Sequence, residues 1–315
     1  MIQVEQLTKY YGEYAAIEDV SFGVEKGEIL GFLGPNAAGK TTTMRILTGF
    51  LTPTSGSARV AGCDVVTQSV EARKHIGYLP ESVPLYDDMT PRDYLRFAAR
   101  IKGVEPREVN KRVDAVMDAT HINDHANVLI SKLSKGYRQR VGISQALIHN
   151  PDVLVLDEPT VGLDPNQIIE IRQLIKALGG DHTIILSTHI LPEVSMLCGR
   201  IAIIHEGRVK AMDTPDNLAL RLRHAQQVAL SVRGPEIEVQ AKLAALPGVL
   251  RVQVERSADS VVELLVDCSE QHDVREAMAA AIVQNGWGLR NLHEVGMSLE
   301  DIFRQLTHEE KGVAA

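Results

Sequence analysis

Only three cysteines occur in the 315 residues, Cys63, Cys198 and Cys268. They lie far apart, and no two have metal-ligand or redox spacing, which fits inert thiols in a reducing compartment. Long apolar runs are missing as well. No charge-free stretch approaches the eighteen or more residues that cross a bilayer as a helix, so any work at a membrane requires docking on another protein. The first residues, with Glu5 and Lys9 among short alternating apolar positions, lack the pattern of a secretory leader. Cationic excess is absent: 41 Asp and Glu stand against 33 Lys and Arg, for a net charge of -8. A broad phosphate-neutralising face is therefore not expected, nor a nucleic-acid partner. No internal repeat or low-complexity stretch interrupts the chain.

What the chain does have is a hydrophobic content of 44%, enough for a substantial core, and a length that suggests two domains. Short strands are expected at Ile2–Leu7 and Ala16–Val24, with Tyr-Tyr-Gly between them. Glu28–Leu33 reads as a buried strand entering a loop at Gly34, and a helix with apolar Met44, Ile46 and Leu47 runs from Gly39 to a stop at Gly49. Residues 84–133 are helix-rich and more charged. Val153–Leu156 and Thr183–Leu186 flank a helix, Asn166–Leu178, in the βαβ alternation of a parallel sheet. Ile201–His205 and Arg208–Met212 form a hairpin through Glu206-Gly207. Near Pro215–His224 the pattern changes to βαββαβ, the order of a ferredoxin-like α+β module, ending in a helix at Leu299–Leu306. These features predict two domains, 1–222 and 223–315, with residues 84–133 as a helical subdomain of the first.

The strongest chemical signal is Gly34-Pro35-Asn36-Ala37-Ala38-Gly39-Lys40-Thr41, followed by Thr42. It fits G-x-x-x-x-G-K-[ST] in the strand–loop–helix setting that a phosphate-binding loop needs. Backbone N–H groups of such a loop converge on an anion at the positive end of the next helix. Lys40 adds a charge for the β- and γ-phosphates, and Thr41 a hydroxyl for Mg²⁺. Asp157, closing an apolar strand at its carboxyl end, is a second candidate metal ligand, and Glu158 beside it is placed to polarise water.

Leu133-Ser-Lys-Gly-Tyr-Arg-Gln-Arg140, ahead of VLVLDEP, resembles the signature motif of ABC ATPases. The rest of that family's set comes in order. Tyr11 resembles the aromatic that stacks on adenine, Glu81 falls at the Q-loop, Val161-Gly-Leu-Asp164 resembles the D-loop, and His189 resembles the switch histidine. The resemblance covers residues 2–218 closely. LPESVPLYDDMTPRDYLRFAARIKG and SLEDIFRQLT are similar to ATP-binding subunits of type-2 exporters, whose membrane domain is typically a separate chain.

The resemblance implies an α/β phosphate-loop NTPase domain with a helical subdomain, and the βαββαβ order adds a small ferredoxin-like α+β domain after it. It also implies ATP and Mg²⁺ as ligands, with Thr41, Asp157 and Glu81 at the metal. Glu158 and His189 are then the catalytic pair. A head-to-tail ATP-sandwich dimer is implied, in which Ser134 and Gly136 close on the partner's nucleotide, with a separate transmembrane permease holding the chain on the cytoplasmic face of the plasma membrane.

Some positions depart from the family pattern. Alanine stands at 37 in place of glycine, which is expected to mean a loop conformation that alanine tolerates. Glu81 replaces glutamine, and Lys135 and Tyr137 replace glycine and glutamine in the signature. The alternative is a soluble ABC ATPase of translation or DNA maintenance. Those commonly carry two cassettes, or a coiled-coil or zinc insertion, and this chain has one cassette and no such insertion. A binding module without turnover is disfavoured by the intact Glu158 and His189.

Overall fold

The computed structural model describes residues 1–221, 226–258, 260–269 and 273–295. The helix expected at Leu299–Leu306 lies outside the described residues. The chain opens on a hairpin of β1 (Ile2–Tyr11) and β2 (Tyr14–Val24), both longer than their apolar patterns suggested. Ile2 and Val4 point inward until the register shifts at Gln6, a left-handed residue (φ 49°), after which Leu7 takes the inward position. An extra residue in one strand is what moves a two-residue period by one. Next come β3 (Ile29–Leu33), α1 (Lys40–Leu47), β4 (Ser55–Val60), β5 (Cys63–Asp64), α2 (Ser69–Lys74) and β6 (Ile76–Leu79).

The helical stretch then holds α3 (Pro91–Ile101), α4 (Val109–Ala119) and α5 (Lys135–Leu147). Thr90 starts α3 by accepting a hydrogen bond from Asp93 N, and Pro91 occupies the first turn, where no N–H is needed. After these come β7 (Val153–Asp157), α6 (Pro165–Leu178), β8 (Thr183–Thr188), α7 (Leu191–Leu197), β9 (Arg200–His205) and β10 (Arg208–Asp213). The β9–β10 turn puts both Glu206 (φ 49°) and Gly207 (φ 74°) in the left-handed region, as a two-residue hairpin turn requires.

Two sheets result. One is antiparallel, in the order β2-β1-β4-β5. The other runs β10-β9-β3-β8-β7-β6, parallel from β9 through β6 with β10 added antiparallel at the edge. Every residue of β7 and β8 is buried, because one face packs with α1 and the antiparallel sheet and the other is covered by helices such as α7. The main core runs between the sheets and includes Phe22 and Phe32, whose rings lie 5.4 Å apart.

After α8 (Pro215–Arg221) come β11 (Gln226–Arg233), α9 (Glu236–Ala244), β12 (Val249–Ala258), β13 (Val261–Cys268), α10 (Arg275–Gln284) and β14 (Gly288–Val295). The strand order is β12-β13-β11-β14, with every pair antiparallel, which is the ferredoxin-like arrangement. Val228, Leu230, Val232, Val262, Leu264 and Val266 alternate onto the face covered by Val239, Leu243, Met278 and Ile282. The chain divides into two compact units, Met1–Pro215 and Asp216–Ala315. That division falls earlier than residue 222, because pairing in the first unit's sheet ends at Asp213 and nearly all of α8 belongs to the second unit.

Candidate functional site

Strand order puts the site together. β3, β8 and β7 are neighbours and parallel, so their carboxyl ends lie side by side, with Leu33 beside Thr188 and Ser187 beside Asp157. Each strand is followed at once by a polar group: the Gly34–Gly39 loop and Lys40 after β3, His189 after β8, and Glu158 after β7. Ligands of parallel α/β sheets collect at this edge.

The loop closes on itself in a way only certain residues permit. A Cβ on Gly34 would stand 2.4 Å from the Ile204 carbonyl oxygen. One on Gly39 (φ 106°) would stand 2.6 Å from Ile17 Cγ2 and 2.8 Å from the Ala16 carbonyl oxygen. Glycine is needed at both. The β9–β10 turn braces the loop from outside, with Gly207 N donating to the Ala38 carbonyl at 3.0 Å. Ala37 does not escape the left-handed region as expected; it sits there at φ 66°. The loop path demands that backbone, and alanine bears a cost of about 1 kcal/mol that glycine avoids.

Lys40 Nζ donates to the carbonyls of Gly34 (2.8 Å) and Pro35 (3.2 Å) and lies 3.3 Å from Glu158 Oε1. Glu158 Oε2 is 2.9 Å from His189 Nδ1. Glu158 is nearly buried and is itself left-handed (φ 48°), with its N–H held by the Ser187 carbonyl at 3.0 Å. Strained backbone of this kind gathers where neighbouring structure fixes a group for a task.

Asp157 lies beneath this pair. Its carboxylate is buried, and desolvation pushes its pKa upward against the opposing hydrogen bonds of the Ser187 and Thr41 hydroxyls. Ser187 donates to Oδ1, while the buried Oδ2 has no hydrogen-bond partner among the described residues. An orphaned carboxylate oxygen near the Thr41 hydroxyl suits a divalent cation. Magnesium held by one carboxylate and one hydroxyl takes its remaining oxygens from phosphates and water. The residues therefore fit Mg²⁺.

A cleft of about 440 Å³ opens above these groups. Its floor is formed by Asn36, Ala37, Ala38, Gly39, Lys40, Thr41 and Thr42, and its far side by Glu81, Glu158 and His189. Tyr11 lines its mouth, half-exposed, with Lys9 Nζ 5.5 Å from its ring centroid. Tyr14 and Val161 line the cleft too and were not expected from the sequence; nor was Ser187, which is visible only as part of an S-T-H strand end.

Ser134, Gly136 and Asp164 are not part of this cleft. Ser134 is exposed and caps α5, accepting from Tyr137 N. Gly136 lines a separate, larger cleft of about 1070 Å³ together with Tyr137, Arg140, Asp164, Gln167 and Glu170. Asp164 caps α6 there, accepting from Gln167 N at 3.0 Å. Signature helix and D-loop touch directly: a Cβ on Gly162 (φ 69°) would stand 2.1 Å from Lys135 Nζ.

A glycine loop between a parallel strand and a helix, with a carboxylate pair at the next strand end but one, defines a phosphate-loop nucleotide triphosphatase. Comparison with known proteins narrows this. The family model described as ABC transporter matches residues 17–161. The linearmycin resistance ATP-binding protein LnrL of Bacillus subtilis is 32% identical over 310 residues, 98% of each chain. The Nod factor export ATP-binding protein I of Cupriavidus pinatubonensis is 33% identical over 312 residues, covering 98% of this chain and 91% of its own. Among solved structures, a dimeric ATP-binding cassette in a post-hydrolysis state, bound to ADP and Pi, superposes with a TM-score of 0.61 at 25% identity. That match covers 68% of this chain and 98% of the other. The chain belongs to the ABC transporter family as an ATP-binding subunit, and it is an ATPase that uses Mg²⁺.

Proposed function

We propose that this chain hydrolyses ATP as one half of a head-to-tail dimer and thereby drives a separate membrane-spanning permease, in the direction of export. One observation carries the reading. The cleft with Lys40, Glu158 and His189 holds neither Ser134 nor Gly136, which sit at the start of α5, where Gly136 lines a separate cleft. A single subunit therefore presents two unlike half-sites. A two-fold axis that sets each against its complement makes two equivalent complete sites.

In this reading the loop amides and Lys40 bind the phosphates, and Tyr11 stacks on the base. Thr41, Asp157 and Glu81 would hold Mg²⁺, which would neutralise charge on the phosphates when bound. Glu158 orients the attacking water, and His189, 2.9 Å from it, keeps that carboxylate aimed and faces the γ-phosphate. Ser134 and Gly136 of the second subunit cover the nucleotide and exclude water. Asp164, at the head of α6, meets the partner beside them.

No described helix is long and apolar enough to cross a membrane. The permease would dock near Glu81–Met89, where half-exposed Tyr86 packs against Tyr94 and Phe97 at 5.9 and 5.6 Å between ring centroids. An apolar aromatic ledge next to Glu81 would let closure of the cleft move the docked segment. Such a chain sits on the cytoplasmic face of the plasma membrane through its permease. The names of its relatives, for linearmycin resistance and Nod factor export, support the direction.

The test is Glu158→Gln. Hydrolysis should fall by about a hundredfold or more, the scale of a positioned catalytic carboxylate. ATP should still bind and should now hold the chain as a dimer in size-exclusion with light scattering. Adding Ser134→Arg should abolish that dimer. A Glu158→Gln chain that stays monomeric with ATP bound would contradict the sandwich.

A further inference from the structure

Behind the Glu158–His189 pair lies a carboxylate to which the proposed hydrolysis gives no role. Glu193, on α7, is wholly buried. Both of its oxygens are engaged. Oε1 accepts from the Thr160 hydroxyl and from the Arg172 guanidinium at 3.3 Å, and Oε2 accepts from the Thr188 hydroxyl at 2.8 Å. The Thr188 oxygen in turn accepts from Ile190 N at 3.1 Å. Thr160 and Thr188 are themselves buried.

These partners are placed unequally with respect to the chemistry. Thr188 and Ile190 stand immediately before and after His189. Thr160 lies two residues beyond Glu158, in the turn closed by Val161 N to the Glu158 carbonyl at 3.2 Å. Arg172 belongs to α6, whose first turn is capped by Asp164. One carboxylate thus joins the backbone that carries the histidine, the backbone that carries the glutamate, and the helix that starts at the D-loop.

Burying a carboxylate is costly unless it is paired and fully hydrogen-bonded, and an apolar residue of similar size would fill the space without that cost. Three donors from three segments fix the position of each relative to the others. Because threonine is β-branched, its hydroxyl direction is tied to its own backbone.

We propose that Glu193 is a positioning residue of the hydrolytic site. It sets the spacing between His189 and Glu158 and, through Arg172, links that spacing to the D-loop helix. Partner contact at Asp164 would then be felt at the water-orienting pair. The proposal rests on Glu158 and His189 being that pair.

The experiment measures single-turnover and steady-state hydrolysis by the full chain carrying Thr188→Val, Thr160→Val or Glu193→Gln. The valines keep threonine's shape and remove only the hydroxyl. Each variant should lower kcat about ten- to a hundredfold, while KM for ATP stays within about twofold. The decisive arm combines Thr188→Val with His189→Ala. If Thr188 acts through the histidine, the second change should cost no further rate once the histidine is gone. A purely structural role would subtract the same factor in both backgrounds.

Equal losses in both backgrounds, or wild-type kcat in the two valine variants, would overturn the proposal. Glu158→Gln, run alongside, separates the two levels. If it abolishes hydrolysis while the valine variants remain fully active, only the positioning role fails. If it hydrolyses at the wild-type rate, the assignment of the hydrolytic pair falls and the positioning role with it.

Discussion

At the scale of single residues, the site is built from side chains that break ordinary preferences. Ala37 and Glu158 both adopt left-handed backbone, and Asp157 keeps a buried oxygen with no partner among the described residues. Each oddity faces the same cleft or lies directly beneath it, which is why they are read together. Ala37 allows the cost to be tested. Replacing it with glycine relieves the left-handed strain but loosens the unfolded chain, and the two effects nearly cancel in folding stability. Replacing it with valine puts a β-branched side chain where only small residues fit the backbone. Ala37→Gly should therefore bind ATP within about threefold of wild type by calorimetry, whereas Ala37→Val should bind at least about tenfold more weakly, from a strain penalty of about 1–2 kcal/mol. Equal affinities for the glycine and valine chains would show that the loop relaxes away from the left-handed path. Of the three cysteines expected to be buried, Cys198 and Cys268 are, whereas Cys63 is only half-buried. Burial pushes the thiols of Cys198 and Cys268 up to about 12 and about 11, so neither is a ready nucleophile.

At the scale of elements, the caps carry both fold and site. Asp164 accepts from Gln167 N and is followed by Pro165 in the first turn, a strong start for α6. Asp164→Ala should cost about 1 kcal/mol, which lowers Tm by roughly 2–4 °C for a unit of this size, and Asp164→Asn should restore most of it. A thermal scan without nucleotide isolates this cap from any role in the dimer. If alanine leaves Tm unchanged, the hydrogen bond to Gln167 is not what starts the helix. The body of this helix was legible in the sequence from Asn166, though its cap was not, and β3, β7 and β8 were legible because strands buried on both faces read as unbroken apolar runs. β4 and β6 were not legible. Ser55-Gly-Ser-Ala-Arg-Val is too polar to stand out, and Ile76-Gly-Tyr-Leu is too short and holds a glycine. The contiguous loop Gly34–Thr41 was plain for the same reason that Glu193 was hidden. A motif contiguous in sequence can be read along the chain, but Thr160, Arg172, Thr188 and Glu193 become one network only when β7, β8, α6 and α7 pack.

At the scale of the whole chain, each of the two units has a core of its own among the described residues, and none of those residues is common to both. One lies between the two sheets of Met1–Pro215, and the other lies under α9 and α10 of the ferredoxin-like unit. Among the described residues, all those that line the cleft fall between Tyr11 and His189, inside the first unit. Nothing in the chemistry of that cleft calls for a side chain from beyond Pro215. A chain ending at Arg221 should therefore fold on its own core and bind ATP within about threefold of the full chain, the margin expected when no contact to the ligand is lost. Urea unfolding of the full chain, followed by far-ultraviolet circular dichroism, should be broader than a single cooperative step, because two cores need not melt together. Mg-ATP should move only the part of that transition retained in the shortened chain, since a ligand stabilises the unit that binds it. A shortened chain that is insoluble, or that shows no rise in Tm with Mg-ATP, would mean that the first unit depends on the second for its own fold. One sharp transition in the full chain, shifted as a whole by nucleotide, would point the same way.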